Sequence, residues 1–304
     1  MTRRGWLLFL SLCVVWGVPY LLIRVAVADL DPLFVAFGRT LIGGLILLPI
    51  ALQQKSLIPV LKRWPILLLY TLVEITGPWL LLGHAEQRLT SSTAGLLIAM
   101  VPLLSAVLIW ATGGEKLSGR RVAGLVLGFA GVVTLVGLDI DLSNLAAVAA
   151  IVGTSIGYAI GPIIINRKFA DLPATGVITG SLLLAALIYA PFAPFVWPTR
   201  IPADAGWSVV GLAVVCTATA FMLLFALIKE AGPARATVIT FVNPAVAILL
   251  GVVVLSEPLT IGMAIGFPLV ILGSILATSR NRAAPAEPAA VSVVTGERPA
   301  TLPS

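Results

Sequence analysis

Long apolar runs separated by short polar connections organise this chain from end to end. They cover residues 6–23, 33–51, 64–82, 91–112, 122–138, 145–165, 174–195, 207–228, 236–254 and 261–278. Most come close to the roughly 20 residues that a helix, rising about 1.5 Å per residue, needs to cross about 30 Å of hydrocarbon. An open strand would leave its backbone groups unsatisfied in lipid, so each run predicts a transmembrane helix. The expected fold is an all-α integral membrane protein with ten transmembrane helices, the connections being too short for a soluble domain.

Composition strengthens this picture. Hydrophobic residues make up 59% of the chain and charged residues only 11%, against about 25% charged in soluble domains. The lipid bilayer is therefore the first partner. The net charge of +6 comes from basic residues placed in ones and twos between apolar runs, which is a topology signal and not a nucleic-acid face. Cys13 and Cys216 fall inside predicted spans and there is one histidine, so neither a zinc site nor a disulfide framework is expected, and no cofactor. The apolar stretch after Arg3-Arg4 has no small-x-small cleavage site and continues to Ile23; it reads as a retained first helix.

With a cytoplasmic N-terminus, one side of the membrane receives Lys55, Lys62, Arg63, Arg120, Arg121, Arg167, Lys168 and most of the other basic residues. The opposite side holds Arg24, Arg88 and Arg200 beside Asp29, Asp31, Asp139, Asp141 and Asp204. The positive-inside rule then predicts both termini in the cytoplasm. Residues 281–304, rich in Ala and Pro without an apolar run, predict a disordered cytoplasmic tail.

A shift of 142 residues aligns Ala94 with Ala236, Pro102 with Pro244, Glu115 with Glu257, Leu117 with Leu259, Gly124 with Gly266 and Gly131 with Gly273, without a gap. The chain reads as a duplicated five-helix unit, residues 1–140 and 145–280. Because five is odd, the second copy enters from the other side and the repeats are inverted. Inverted repeats are the architecture of secondary transporters, with the binding site near the midplane between the halves.

The arrangement resembles the drug/metabolite transporter superfamily, and its ten-helix EamA-type members, over roughly residues 5–280. The resemblance is carried by Trp16-Gly17, by Arg39, by Pro102 with Glu115-Lys116-Leu117, and by the second copy, Asn243-Pro244 with Glu257-Pro258-Leu259. It implies a plasma-membrane exporter of small metabolites, amino acids or drugs, driven by an ion gradient or by the substrate's own. Tyr158-Ala159 stands opposite Trp16-Gly17, a departure from symmetric substrate contacts.

Glu74 is the foremost candidate for chemistry. It lies in the middle of the third run, where an ionised carboxylate costs about 3 kcal/mol or more without a partner or water. Gly77-Pro78 follow and should loosen the helix and free carbonyls of the preceding turn. Proton or amine binding is the functional reading; a protonated Glu74 donating to a nearby carbonyl is the structural one. Arg39 lies at similar depth on the preceding, antiparallel helix, so it could pair with Glu74; substrate contact is its functional reading, and snorkelling to the outer interface or locking two helices its structural one.

Other residues carry weaker signals. Trp16, Tyr20, Trp79, Tyr158, Phe221 and Phe225 could line an aromatic cavity, although aromatics also fill membrane cores. Asn243 sits beside Pro244, and Pro78, Pro102 and Pro244 read as kinks. Glu115 and Glu257 read as caps of the helices that follow them, and His84 as an interfacial residue beyond the third helix. The glycines at 153, 157 and 161, and at 124, 128 and 131, read as close-packing faces.

The expected function is alternating-access transport of a small-molecule substrate, with protons as a candidate co-ion. Glu74 and Arg39 facing one cavity suit a zwitterion; paired with each other, they leave a neutral or hydrophobic-cation cargo equally open, and multidrug or hydrophobic-cation efflux is the alternative function. An intramembrane lipid-modifying enzyme is disfavoured by the lack of HExxH, GxSxG and paired intramembrane aspartates. Nothing in the loops selects a monomer over a homodimer.

Overall fold

A computed structural model describes residues 2–113, 118–232 and 238–279. The predicted tail, Glu115 and Arg235 lie outside them. The helices are α1 (Arg3–Ala26), α2 (Pro32–Gln53), α3 (Trp64–Glu86), α4 (Ser91–Ala111), α5 (Gly119–Asp139), α6 (Leu145–Lys168), α7 (Ala174–Tyr189), α8 (Ala203–Ala231), α9 (Ile239–Leu255) and α10 (Ile261–Thr278). Eight are long and apolar enough to cross a membrane; α7 and α9 are shorter apolar helices. No strand forms among the described residues.

Four of the described helices start where a short polar side chain takes up a free N–H group. Thr2, Asp31, Thr90 and Thr260 each accept from a backbone N–H in the first turn of α1, α2, α4 and α10. Several boundaries differ from expectation by a few residues, and two of them show a clear cause. The third helix does not end at Leu82 but continues through His84 to Glu86, because polar residues that break a hydropathy run do not break backbone hydrogen bonding. The seventh ends at Tyr189 and not at 195, since Pro191 disfavours helical geometry in the residue before it and cannot donate an N–H.

The prolines act differently from one another. Pro102 follows a break at Ala99-Met100 that divides α4 into Ser91–Ile98 and Val101–Ala111. Pro244 sits inside α9 without interrupting it.

Packing joins the first five helices to the last five. α5 lies along α10, α2 along α7 and α4 against α9; α1 packs on α8 and α9, as α6 packs on α3 and α4. The α5–α10 contact is antiparallel and built on glycine. Gly124 faces Ala277, Gly131 faces Gly266 and Leu269, and a Cβ at Gly273 would overlap the backbone of Gly128. Asp139, at the end of α5, accepts from Thr260 Oγ1 and from Gly262 N at 3.1 Å, capping α10. Large apolar side chains such as Val133 and Leu187, 69% and 68% exposed, point away from the bundle. That surface requires lipid.

Arg63, between α2 and α3, grips Asp171, between α6 and α7, through two bonds of 2.8 and 2.5 Å, and also donates to Lys168 O at 2.5 Å. The guanidinium holds the Asp171 carboxyl below its ordinary range. The link is therefore complete above about pH 4 and is lost as pH falls through that lowered value. Both side chains are exposed, so it positions the connections more than it stabilises them.

Candidate functional site

Glu74 occupies a widened, π-helical turn, Thr71–Thr76, in the middle of α3. The cause is local. Pro78 has no N–H to offer the carbonyl one turn back, and Gly77 N bonds to Leu72 O, five residues away, which shifts the register by one. Two side chains bond to the backbone carbonyls that border the turn: Tyr189 Oη donates to Thr76 O at 2.6 Å, and Thr154 Oγ1 to Pro78 O at 3.2 Å.

A second π-helical turn, Val214–Thr219, lies in α8. The 142-residue shift that aligns the sequence with itself places Cys216, inside this second turn, opposite Glu74. No proline causes the second. Thr217 Oγ1 donates to Leu212 O, five residues back, at 2.8 Å.

Arg39 links the two turns' helices. It is 8% exposed; its Nε donates to Thr217 Oγ1 at 2.9 Å, and its Cζ lies 3.6 Å from the centroid of the Trp79 ring. Such a desolvated cation–π contact is worth about 2 kcal/mol. Among the described residues Arg39 has no carboxylate bonded to it, so the pairing with Glu74 that depth alone allowed is not formed.

Glu74 instead turns toward α6. Its Oε2 is shielded and has no hydrogen-bond partner among the described residues, and a Cβ at Gly161 would overlap that oxygen. The glycine stripe of α6 is thus more than a packing face. Gly157 lets the backbone at Val73 and the Pro78 ring approach, Gly161 leaves room for the carboxylate, and Gly153 faces Leu81.

These positions respond differently to a methyl group. Gly161→Ala meets the free end of a flexible side chain, so the protein should fold with stability nearly unchanged while the Glu74 carboxylate is displaced and its function impaired. Gly157→Ala meets the carbonyl of Val73 and should destabilise by about 1–3 kcal/mol. Thermal unfolding in detergent, compared with flux, separates the two; equal losses of stability at both positions would reject the assignment.

The aromatic candidates divide. Trp79, Tyr158, Phe221 and Phe225 belong to one cluster with Tyr189, and Trp16 reaches it through an edge contact with Phe221 at 6.2 Å. Tyr20 packs in a neighbouring cluster, against the space left at Gly95. Asn243 stands apart from both charges. In the amide orientation that satisfies its surroundings, its nitrogen donates to Cys13 O at 3.2 Å and Ile239 O at 3.1 Å, tying α9 to α1.

Three further readings change. His84 is on the last turn of α3, exposed, with Nδ1 2.9 Å from Leu80 O. Glu257 caps a helix, but not the one that follows it: it accepts from Ser91 N, Ser92 N and Ser92 Oγ at 2.8, 3.0 and 2.5 Å, at the start of α4. Its loop comes back across the bundle, which linear order could not reveal. Glu86, two residues beyond His84 and without a sequence signal of its own, is fully buried and neither carboxylate oxygen has a hydrogen-bond partner among the described residues. Thr217 and Tyr189 were also missed. The repeat register could have pointed to Thr217, one position beyond the counterpart of Glu74.

No cluster of three His, Cys, Asp or Glu suited to a metal ion occurs among the described residues. Beside the first turn of α4 lies a cavity of about 370 Å³ lined by Arg24, Asp29, Thr90, Asp204 and Glu257, among others.

A polytopic helical bundle with an apolar exterior and opposite charges held separately in its interior is a membrane protein built around a polar centre. The EamA-like transporter family matches residues 3–137 and again 145–279, and the chain belongs to that family. It is 28% identical over 292 residues to the uncharacterized transporter YvbV of Bacillus subtilis (strain 168), covering 92% of this chain and 93% of that protein. It is also 28% identical over 293 residues to the uncharacterized inner membrane transporter YedA of Escherichia coli (strain K12), covering 93% and 94%. A solved crystal structure superposes with a TM-score of 0.66 at 22% identity, covering 91% of this chain and 98% of its own; that likeness concerns fold alone.

Proposed function

We propose that this protein is a cell-membrane secondary transporter that exports small metabolites or amino-acid-like solutes by alternating access, and not an enzyme. The observation that carries the cargo reading is the separation of Glu74 and Arg39. Each charge is held by uncharged groups, Gly161 on one side and Thr217 with Trp79 on the other. A carboxylate and a guanidinium kept apart in a low-dielectric interior can receive the amine and the carboxylate of a zwitterion. Tyr158 and Trp79 supply an apolar wall. A hydrophobic-cation cargo would use Glu74 and the aromatics but leave Arg39 without a role.

The proposed architecture is ten spans arranged as two inverted five-helix repeats, 1–140 and 145–280. Several observations support it. The two family matches begin 142 residues apart, the same register as the internal alignment. The helix pairings persist when each helix is exchanged for its counterpart: α1 on α8 becomes α6 on α3, and α1 on α9 becomes α6 on α4. At residue level, Gly124 faces Ala277 while Gly266 faces Leu135, a pair the register interchanges. Since α5 and α10 are counterparts and run antiparallel, the axis relating the halves is perpendicular to them, as inverted repeats require.

Two experiments test this reading. In proteoliposomes with an imposed pH gradient, flux of a labelled amino-acid mixture should exceed that of a hydrophobic cation such as tetraphenylphosphonium; the reverse order would favour the multidrug alternative, and product formation from lipid without flux would favour an enzyme. For orientation, single cysteines at Asp141 and Ser279 in a background lacking Cys13 and Cys216 should differ, with an impermeant thiol reagent labelling only the first in sealed cells. Equal labelling would reject the cytoplasmic placement of both termini.

A further inference from the structure

Glu86 is a buried carboxylate that the reading above does not use. It is the last residue of α3 and 0% exposed, and neither oxygen has a hydrogen-bond partner among the described residues. Arg24 of α1 comes close, but its Nη1 donates to the backbone carbonyl of Glu86, at 2.5 Å, and not to the carboxylate. The other charged or titratable groups that act on it are Arg39 of α2, Tyr20 of α1, Tyr158 of α6 and Glu257 of the α9–α10 connection. On its own helix, His84 points outward.

Glu257 is what makes this position consequential. Its three bonds to Ser91 and Ser92 fasten the second half of the chain to the first turn of α4, which begins five residues after Glu86. They form a latch between the halves. Glu257 is amply hydrogen-bonded and borders the cavity shared with Arg24, Asp29 and Asp204; Glu86 has neither donor nor exposure. An ionised carboxylate in that position would bear a desolvation cost of several kcal/mol, to which the negative charge of Glu257 adds and which the positive charges of Arg24 and Arg39 offset only in part. Neutral, it bears neither.

We propose that Glu86 is a second proton-binding site, separate from Glu74, occupied while the Glu257 latch is closed and vacated when the latch opens into the adjoining cavity. The proton leaves the Glu86 carboxyl for water entering that cavity, and the resulting carboxylate then repels Glu257 and is hydrated beside Arg24. In the proposed orientation this is the outer face, so a proton released there couples outward opening to the external pH. The use of such a site in a transport cycle rests on the transporter reading, whereas its existence does not.

The test is made on the full chain in lipid nanodiscs without substrate. Spin labels at Gln87 and Leu259, in a background lacking Cys13 and Cys216, report the latch by double electron–electron resonance. Raising the pH from mildly acidic to mildly alkaline should shift the distribution from short to long distances. Glu86→Gln should abolish that shift and keep the short distance throughout, while Glu74→Gln should retain it and Glu257→Gln should populate the long distance at every pH. In parallel, the infrared carbonyl absorption of protonated carboxylic acids should be present at low pH and lose intensity on raising the pH, and Glu86→Gln should remove one component of that change while leaving the component that Glu74 contributes. A distance shift that persists in Glu86→Gln, or a low-pH carboxylic-acid band unchanged by that substitution, overturns the proposal. A shift that behaves as expected in a protein showing no solute flux would instead leave the proton site standing and remove the transporter reading.

Discussion

Glu74→Gln is expected to insert and fold normally while pH-dependent net transport falls about tenfold or more, the scale of losing a charge-assisted bond worth about 1.5–3 kcal/mol. The substitution keeps the size of the side chain that Gly161 accommodates and removes only its capacity to ionise. The widened turn should survive, because its cause is Pro78 and the Gly77–Leu72 bond and not the carboxylate. Glu230→Gln, at an exposed helix end where Glu230 accepts from Thr2, is the matched control and should transport normally. Flux and pH dependence of the wild-type kind in Glu74→Gln would sink the site assignment without touching the fold.

Arg39→Met is expected to abolish transport of a carboxylate-bearing cargo with little loss of stability, a combination a purely structural arginine would not give. Removing one member of a buried ion pair typically costs about 3–5 kcal/mol because the other charge is left uncompensated. Here no carboxylate is bonded to Arg39 among the described residues, and Thr217 keeps its bond to Leu212 O. The loss of the Trp79 contact, about 2 kcal/mol, is opposed by relief of guanidinium desolvation. Combining Arg39→Met with Glu74→Gln should therefore be additive in stability within about 0.5 kcal/mol. A double variant markedly more stable than that sum would show that the two charges pair after all.

Much of the architecture was legible in the linear chain because lipid makes a one-dimensional demand. A span must be apolar for about 20 residues and must satisfy its own backbone, and both conditions are visible in composition. Errors arose where a boundary is decided by something other than hydropathy. Glu86 and His84 extend α3 because helical hydrogen bonding tolerates polar side chains that a hydropathy run does not, whereas Pro191 ends α7 among residues that are still apolar.

By itself, the sequence determined the helical character, the approximate spans, the 142-residue register and the unusual depth of Glu74 and Arg39, since each depends on residue type and position along one axis. Only the tertiary structure decided where those side chains turn. Depth says nothing about azimuth, and it was packing around the helices that aimed Arg39 at Thr217 and Trp79 and left Glu74 against Gly161. The π-helical turn of α3 could be half anticipated from Gly77-Pro78, but that of α8 has no proline to announce it. Glu257 and Glu86 were beyond linear reasoning for the same reason: one caps a helix far away in the chain, and the other is significant only because the surrounding helices bury it without offering a donor.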